Sequence, residues 1–149
     1  MKTALFAGSF RPFTIGHADI VDRALQIFDR VIICIGVNYG KDHDSDTDRR
    51  LSDIRSIYAG NPAVTVMARH GLTVDIAREE NADCLLRAVR SVKDYEYERD
   101  MADANRALSG IETIILVARP ELSYISSSLV RELQSYGRDV SAMLPHPAK

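Results

Sequence analysis

Thr3-Ala4-Leu5-Phe6-Ala7-Gly8-Ser9-Phe10-Arg11-Pro12-Phe13-Thr14-Ile15-Gly16-His17 is the stretch that decides the fold. Thr3 to Ala7 is a short apolar run ended by Gly8, which predicts a strand. From Ala18 to Phe28, apolar residues fall at Ile20, Val21, Ala24, Leu25, Ile27 and Phe28, the spacing of a helix with one buried face. A strand that passes through a glycine-bounded loop into a helix opens a βαβ unit.

The rest of the chain continues the alternation. Val31 to Val37 is a β-branched run, apolar on both faces, as suits a central parallel strand covered by helices. Asn38 to Asp48 is polar and acidic and reads as a loop. Leu51 to Tyr58 reads as a short helix ended by Gly60-Asn61-Pro62. Further strands are expected over Ala63 to Ala68, Cys84 to Arg87 and Thr113 to Val117. Further helices are expected over Leu72 to Glu80, Asp94 to Leu108 and Ser126 to Tyr136. Tyr97, Met101, Ala104 and Leu108 form one face of the long helix, and Leu129, Val130 and Leu133 the inward face of the last. The tail after Gly137 carries two prolines and is expected to fray or pack loosely. The pattern predicts an α/β fold: a Rossmann-like five-stranded parallel sheet with helices on both faces and right-handed crossovers. No linker or repeat interrupts it, so one domain over residues 1–149 is expected. Chemistry is then sought in the loops beyond the carboxyl ends of the strands.

Composition narrows the function. A chain of 149 residues buries about 70% of its unfolded surface and can build a core without staples. With 46% hydrophobic and 27% charged residues it is an ordinary globular protein, which excludes global disorder. Nineteen Lys and Arg against twenty-one Asp and Glu give a net charge of -2, which argues against a nucleic-acid binder but leaves room for a local anion pocket. Cys34 and Cys84 sit in apolar runs and read as reduced, buried small hydrophobes. No apolar run reaches the about 20 residues that span a bilayer, and no signal-type segment is evident, so a cytoplasmic protein is expected.

Three loops carry chemistry. In the first, Gly8 and Gly16 let the backbone approach a ligand. Thr14 can cap the following helix, leaving its amides toward an anion and His17 in the first turn as a donor to a phosphate oxygen. The plain alternative is a cap and a surface histidine. After the fourth strand stand Arg87, Arg90 and Lys93, either a phosphate clamp or a solvated basic turn. Ser123-Tyr124-Ile125-Ser126-Ser127-Ser128 opens the last helix with three hydroxyls beside free amides, which suits a triphosphate; the alternative is one N-cap with two filler serines. The acidic run Asp42-x-Asp44-x-Asp46-x-Asp48 fails the EF-hand template, since Thr47 stands where glycine is needed and no Glu closes it; a solvated loop is expected. His43, His70 and His146 lack metal-ligand spacing, and no metal site is expected.

Taken together, Gly8-Ser9-Phe10-x-Pro12, Thr14-x-Gly16-His17, Lys41, Arg87-x-x-Arg90, Asp94-Tyr95-Glu96-Tyr97-Glu98, Asn105-Arg106 and Ser123 to Ser128 resemble the bacterial phosphopantetheine adenylyltransferases. These belong to the nucleotidyltransferase superfamily with a Thr/His-x-Gly-His signature. The resemblance spans nearly the whole chain in order. It implies transfer of the adenylyl group of ATP to 4'-phosphopantetheine, giving dephospho-coenzyme A and pyrophosphate, in a homohexamer with Mg2+. It implies that His17 contacts the ATP phosphates, that Ser9 and Phe10 lie where the two substrates meet, and that Lys41 neutralises phosphate charge during attack. Thr73 and Arg87, with Ser9 and Lys41, would bind phosphopantetheine. Ala88, Val89, Arg90, Glu98, Leu122, Ser123, Tyr124, Ile125, Ser126, Ser127 and Ser128 would line the ATP site. The family usually has Asp in place of Arg11, Gly in place of Ala88 and Trp in place of Leu122. After Lys41 it usually has a second Lys, a Pro and an aromatic, where this chain has Asp42-His43-Asp44.

The implied reaction fits the side chains. A phosphate nucleophile is ionised at neutral pH and needs no general base, so catalysis rests on positioning and on charge stabilisation in an in-line transition state. His17, Lys41 and Arg90 are the expected catalytic cations. Two alternatives stay open: a superfamily enzyme with another phosphorylated acceptor, and a non-catalytic nucleotide-binding module. A flavodoxin-like flavin binder gives no reason for the Arg87 and Arg90 pair.

Overall fold

A computed structural model describes residues 1–37 and 45–149, with Ser45 through its backbone alone. Strands and helices alternate as β1 (Thr3–Gly8), α1 (Ile15–Ala24), β2 (Arg30–Val37), α2 (Ser45–Ile57), β3 (Val64–His70), α3 (Thr73–Glu79), β4 (Cys84–Val89), α4 (Val92–Ser109), β5 (Glu112–Val117) and α5 (Ser127–Ser135). All pairings are parallel, in the order β3-β2-β1-β4-β5, with Leu5 opposite both Ile32 and Leu85. The expected five-stranded α/β fold is what forms.

The sheet is buried on both faces because its central strands alternate between two cores. Ala4, Phe6, Val31, Ile33, Ile35 and Leu86 point to one side, where Ile20, Val21 and Ala24 of α1 and Ile54 of α2 cover them. Leu5, Ile32, Cys34 and Leu85 point to the other, under Val74, Ile76 and Ala77 of α3. This explains the unbroken apolar run in β2. Cys34 and Cys84 are free and buried, and desolvation pushes both thiols up to about 11.

The chain turns back between β1 and β4, whose carboxyl ends therefore frame the crevice where ligands bind in such sheets. Gly8 closes β1 under an aromatic: a Cβ there would stand 3.1 Å from the Phe10 ring. Phe10 itself has φ 48°, a left-handed conformation that is uncommon for a bulky side chain.

Several elements depart from expectation. α1 begins earlier, at Ile15, because Thr14 and His17 cap it reciprocally, and it ends at Ala24 rather than Phe28. α2 begins at Ser45, inside the segment read as a loop, where Asp46 and Asp48 occupy the first turn and favour the helix dipole. Asp46 is no solvated charge: it pairs with Arg11 at 3.6 Å, Arg49 at 3.1 Å and Arg50 at 3.3 Å. Asp42, His43 and Asp44 lie outside the described residues. The tail does not fray freely. Val140 is buried, and the Ala148 N–H donates to the Ser56 carbonyl at 2.9 Å, which lays the prolines over α2. On α4 only Glu98 is buried, while Tyr97, Met101 and Leu108 of the expected face stand exposed.

Candidate active site

Two clefts open beside the ends of β1 and β4. The larger, about 280 Å³, is lined by Thr14, Gly16, His17 and Ile20 from the start of α1, by Arg87, Ala88, Arg90, Asp94 and Glu98 around β4 and α4, and by Ala118, Leu122, Ile125 and Ser126 to Ser128. The smaller, about 190 Å³, is lined by Thr73, Leu85, Tyr97, Met101, Ala102, Asn105 and Thr113. Arg87 and Glu98 line both, so the clefts meet at this pair.

His17 is held by the cap of its own helix. The Thr14 N–H donates to its Nδ1 at 2.9 Å, which leaves Nε2 to carry the proton of the neutral ring. The ring stacks on Phe13 at 5.3 Å and meets Phe10 edge-on at 5.0 Å. Burial, with smaller contributions from Arg90 and Arg87, brings its pKa down to about 4. The expectation that His17 is a cation is thus corrected: it is a neutral donor, because an imidazolium among aromatic rings and two guanidinium groups is disfavoured.

Arg87 forms a two-pronged pair with Glu98, Nε to Oε2 and Nη2 to Oε1, each at 2.7 Å, and its Nη1 donates to the Ala7 carbonyl at 2.5 Å. This ion pair raises the Arg87 pKa, so the group is charged at any working pH. Glu98, expected as an ATP contact, has both carboxylate oxygens on Arg87; it shapes the cleft by aiming that guanidinium. Arg90 is set in turn by Asp94, which accepts from both its backbone N–H and its Nε at 3.0 Å.

The three serines are not three free hydroxyls. Ser126 caps α5 by accepting from the Leu129 N–H at 3.0 Å, Ser127 donates to the Pro12 carbonyl at 2.7 Å, and Ser128 accepts from Arg131 at 3.2 Å. What the helix start offers an anion is its first-turn amides, which have no partner within a helix.

Of the expected ATP-site residues, His17, Ala88, Arg90, Glu98, Leu122, Ile125, Ser126, Ser127 and Ser128 line the larger cleft. Ser9, Phe10, Val89, Ser123 and Tyr124 do not: Val89 is buried, Tyr124 is exposed, and Ser123 folds onto the Pro120 carbonyl. Thr73 and Arg87 come together at the smaller cleft. Lys41 lies outside the described residues. Ile20 and Asp94 were missed, although each was signalled by spacing: Ile20 one turn beyond His17, Asp94 four residues beyond Arg90.

Residues 5–133 match the model of the cytidylyltransferase-like family, so fold and cleft together define a nucleotidyltransferase-type protein. Among solved structures, the bifunctional NMN adenylyltransferase/ADP ribose pyrophosphatase of Francisella tularensis shares the fold, with a TM-score of 0.69 and 18% identity over 96% of this chain and 44% of that one. Closer relatives carry one description. The phosphopantetheine adenylyltransferase of Porphyromonas gingivalis is 56% identical over 95% of this chain and 93% of its own length. That of Phocaeicola vulgatus is 47% identical over 100% and 99%. The chain belongs to the phosphopantetheine adenylyltransferase family.

Proposed function

We propose that this chain transfers the adenylyl group of ATP to 4'-phosphopantetheine, giving dephospho-coenzyme A and pyrophosphate. The observation that carries the reading is the meeting of two clefts at one fixed arginine, Arg87. ATP occupies the larger cleft, with its phosphates toward His17, Arg90 and the first turn of α5. The acceptor occupies the smaller, with its phosphate at Arg87 and its arm along Thr73, Met101 and Asn105. An acceptor phosphate oxygen attacks the α-phosphorus in line, the bond to the β-phosphate bridging oxygen breaks, and pyrophosphate leaves. No general base is needed. His17 donates from Nε2 to phosphate oxygens, Lys41 and Arg90 neutralise developing charge, and Phe10, which lines neither cleft, serves by packing edge-on against His17.

Mg2+ would come with ATP, held by the substrate's own phosphates, and would neutralise part of their charge. Asp94 and Glu98, the carboxylates of the larger cleft, are both taken by arginines. Among the described residues no helix is long and apolar enough to cross a membrane, and a cytoplasmic location suits an ATP-dependent reaction. A coupled pyrophosphate assay tests the function: release is expected with ATP and 4'-phosphopantetheine together and not with CTP or GTP. Release with a different acceptor and none with phosphopantetheine overturns it.

Arg90 lines the ATP cleft alone, so Arg90→Lys is expected to weaken ATP binding or chemistry about ten- to a hundredfold while sparing the acceptor. Calorimetric titration of each ligand checks this; equal loss of both would show one shared clamp.

Self-assembly into a homohexamer also belongs to this reading. Its support is the exposed apolar surface of α4 and β5, with Tyr97, Leu108, Ile114 and Val117 open to solvent. Leu108→Glu is expected to shift the light-scattering mass to smaller species. An unchanged mass for both proteins at monomer size excludes assembly.

A further inference from the structure

The loop between β1 and α1 is gripped through its carbonyls from two helices. Arg131 of α5 donates to the Arg11 carbonyl at 2.5 Å, and Ser127 donates to the Pro12 carbonyl at 2.7 Å. From α2, on another side, Arg50 donates to the Ser9 carbonyl and to Thr47 Oγ1 at 3.2 Å, with Asp46 Oδ2 at 3.3 Å from its Nε. Arg50 is 8% exposed, which is unusual for an arginine and costly unless its donors are used.

We propose that Arg50 is a positioning residue for adenylyl transfer, acting through the Ser9–Phe10 peptide. In a planar trans peptide the C=O and the following N–H point opposite ways. Anchoring the Ser9 carbonyl on Arg50 therefore turns the Phe10 N–H away from α2. The same anchor precedes Phe10, whose φ of 48° persists only where its surroundings over-determine it. Arg50 and Arg131 hold the carbonyls on either side of that residue. The Phe10 ring in turn meets His17 edge-on at 5.0 Å and Phe13 at 5.3 Å. The route from Arg50 to the chemistry is thus one peptide and one ring: without the guanidinium, Phe10 can relax from its left-handed conformation, and the packing that holds His17 neutral and aimed changes with it. Lysine does not substitute, since one ammonium cannot span Ser9, Thr47 and Asp46 as a planar fork does.

This inference rests on the proposed reaction, and the experiment separates the two. Steady-state kinetics with ATP and 4'-phosphopantetheine are run on the full chain, on Arg50→Ala and on Arg50→Lys. Arg55→Gln is the control: Arg55 also lies on α2 and also clamps a carbonyl, that of Val66 in β3, away from the loop. Both Arg50 variants are expected to lose about ten- to a hundredfold in kcat with little change in the KM for ATP. Added guanidinium ion is expected to restore part of the Arg50→Ala rate and to leave the parent rate unchanged, whereas Arg55→Gln keeps the parent kcat. Parent-like kcat in both Arg50 variants overturns the inference. So does a fall in activity that follows the folded fraction measured by circular dichroism and is not rescued by guanidinium. A parent protein that releases no pyrophosphate from these two substrates overturns the functional reading itself.

Discussion

Replacing His17 by alanine is expected to lower kcat by about a hundred- to a thousandfold, the scale for loss of one preorganised donor, while ATP affinity moves little. The reason is geometric. The Thr14 N–H fixes Nδ1 as an acceptor, so the neutral ring has one donor, Nε2–H, and the ring lines the larger cleft, where the proposed function puts the ATP phosphates. Single-turnover and steady-state rates on the variant are the check; unchanged kcat with only a raised KM removes the role. Neutrality has a pH signature. The folded pKa of about 4 lies below the ordinary imidazole value of 6.5 that the unfolded chain retains. Between those values the unfolded chain binds more protons, so stability rises with pH across the window and is lost as pH falls through it. The contribution is on the order of 3 kcal/mol. His17→Asn, which cannot charge, is expected to flatten that slope in urea titrations between pH 4 and 6.5. A slope identical to the parent's assigns it to other groups.

The second large effect concerns Arg87 and Glu98. Arg87→Met strips a nearly buried carboxylate of its partner, and removing one member of such a pair costs about 3–5 kcal/mol. Arg87 is one-third exposed at its side chain, so solvent screening puts the loss near the lower end, about 3 kcal/mol. Combining Arg87→Met with Glu98→Gln is expected to recover much of that stability, because no charge is then left unpaired. Denaturant melts of the two single variants and the double give the coupling. Additive losses would mean the pair contributes nothing as a pair. Activity is not expected to return in the double variant, since the guanidinium proposed to hold the acceptor phosphate is still missing.

Much of the site is written in short-range pattern. Thr14-x-Gly16-His17 after an apolar strand placed a capped helix start and its histidine correctly, because capping is decided within four residues. The same pattern put Arg87 and Arg90 together in the loop after the fourth strand, but β4 runs on to Val89, so Arg87 lies within the strand and only Arg90 lies beyond it. The charge state of His17 was not legible, since it follows from Phe10 and Phe13 rings and from Arg87 and Arg90, which reach it through folding. Nor was the use of the serines: the Ser127 hydroxyl goes to Pro12, a partner 115 residues away.

By itself the sequence determined the order of strands and helices, the parallel sheet buried on both faces and the identity of the loops at its carboxyl edge. These depend on periodicity, on β-branched runs and on glycine at turns, all local properties. Only the tertiary structure decided which charges are free to meet a ligand. Glu98 is taken by Arg87, Asp94 by Arg90, and Asp46 by Arg11, Arg49 and Arg50. It also decided that the apolar stripe of α4 faces outward and that the proline tail lies on α2. The physical reason is that pairing energy, desolvation and ligand access depend on distances between residues far apart in the chain, which spacing along the sequence does not encode.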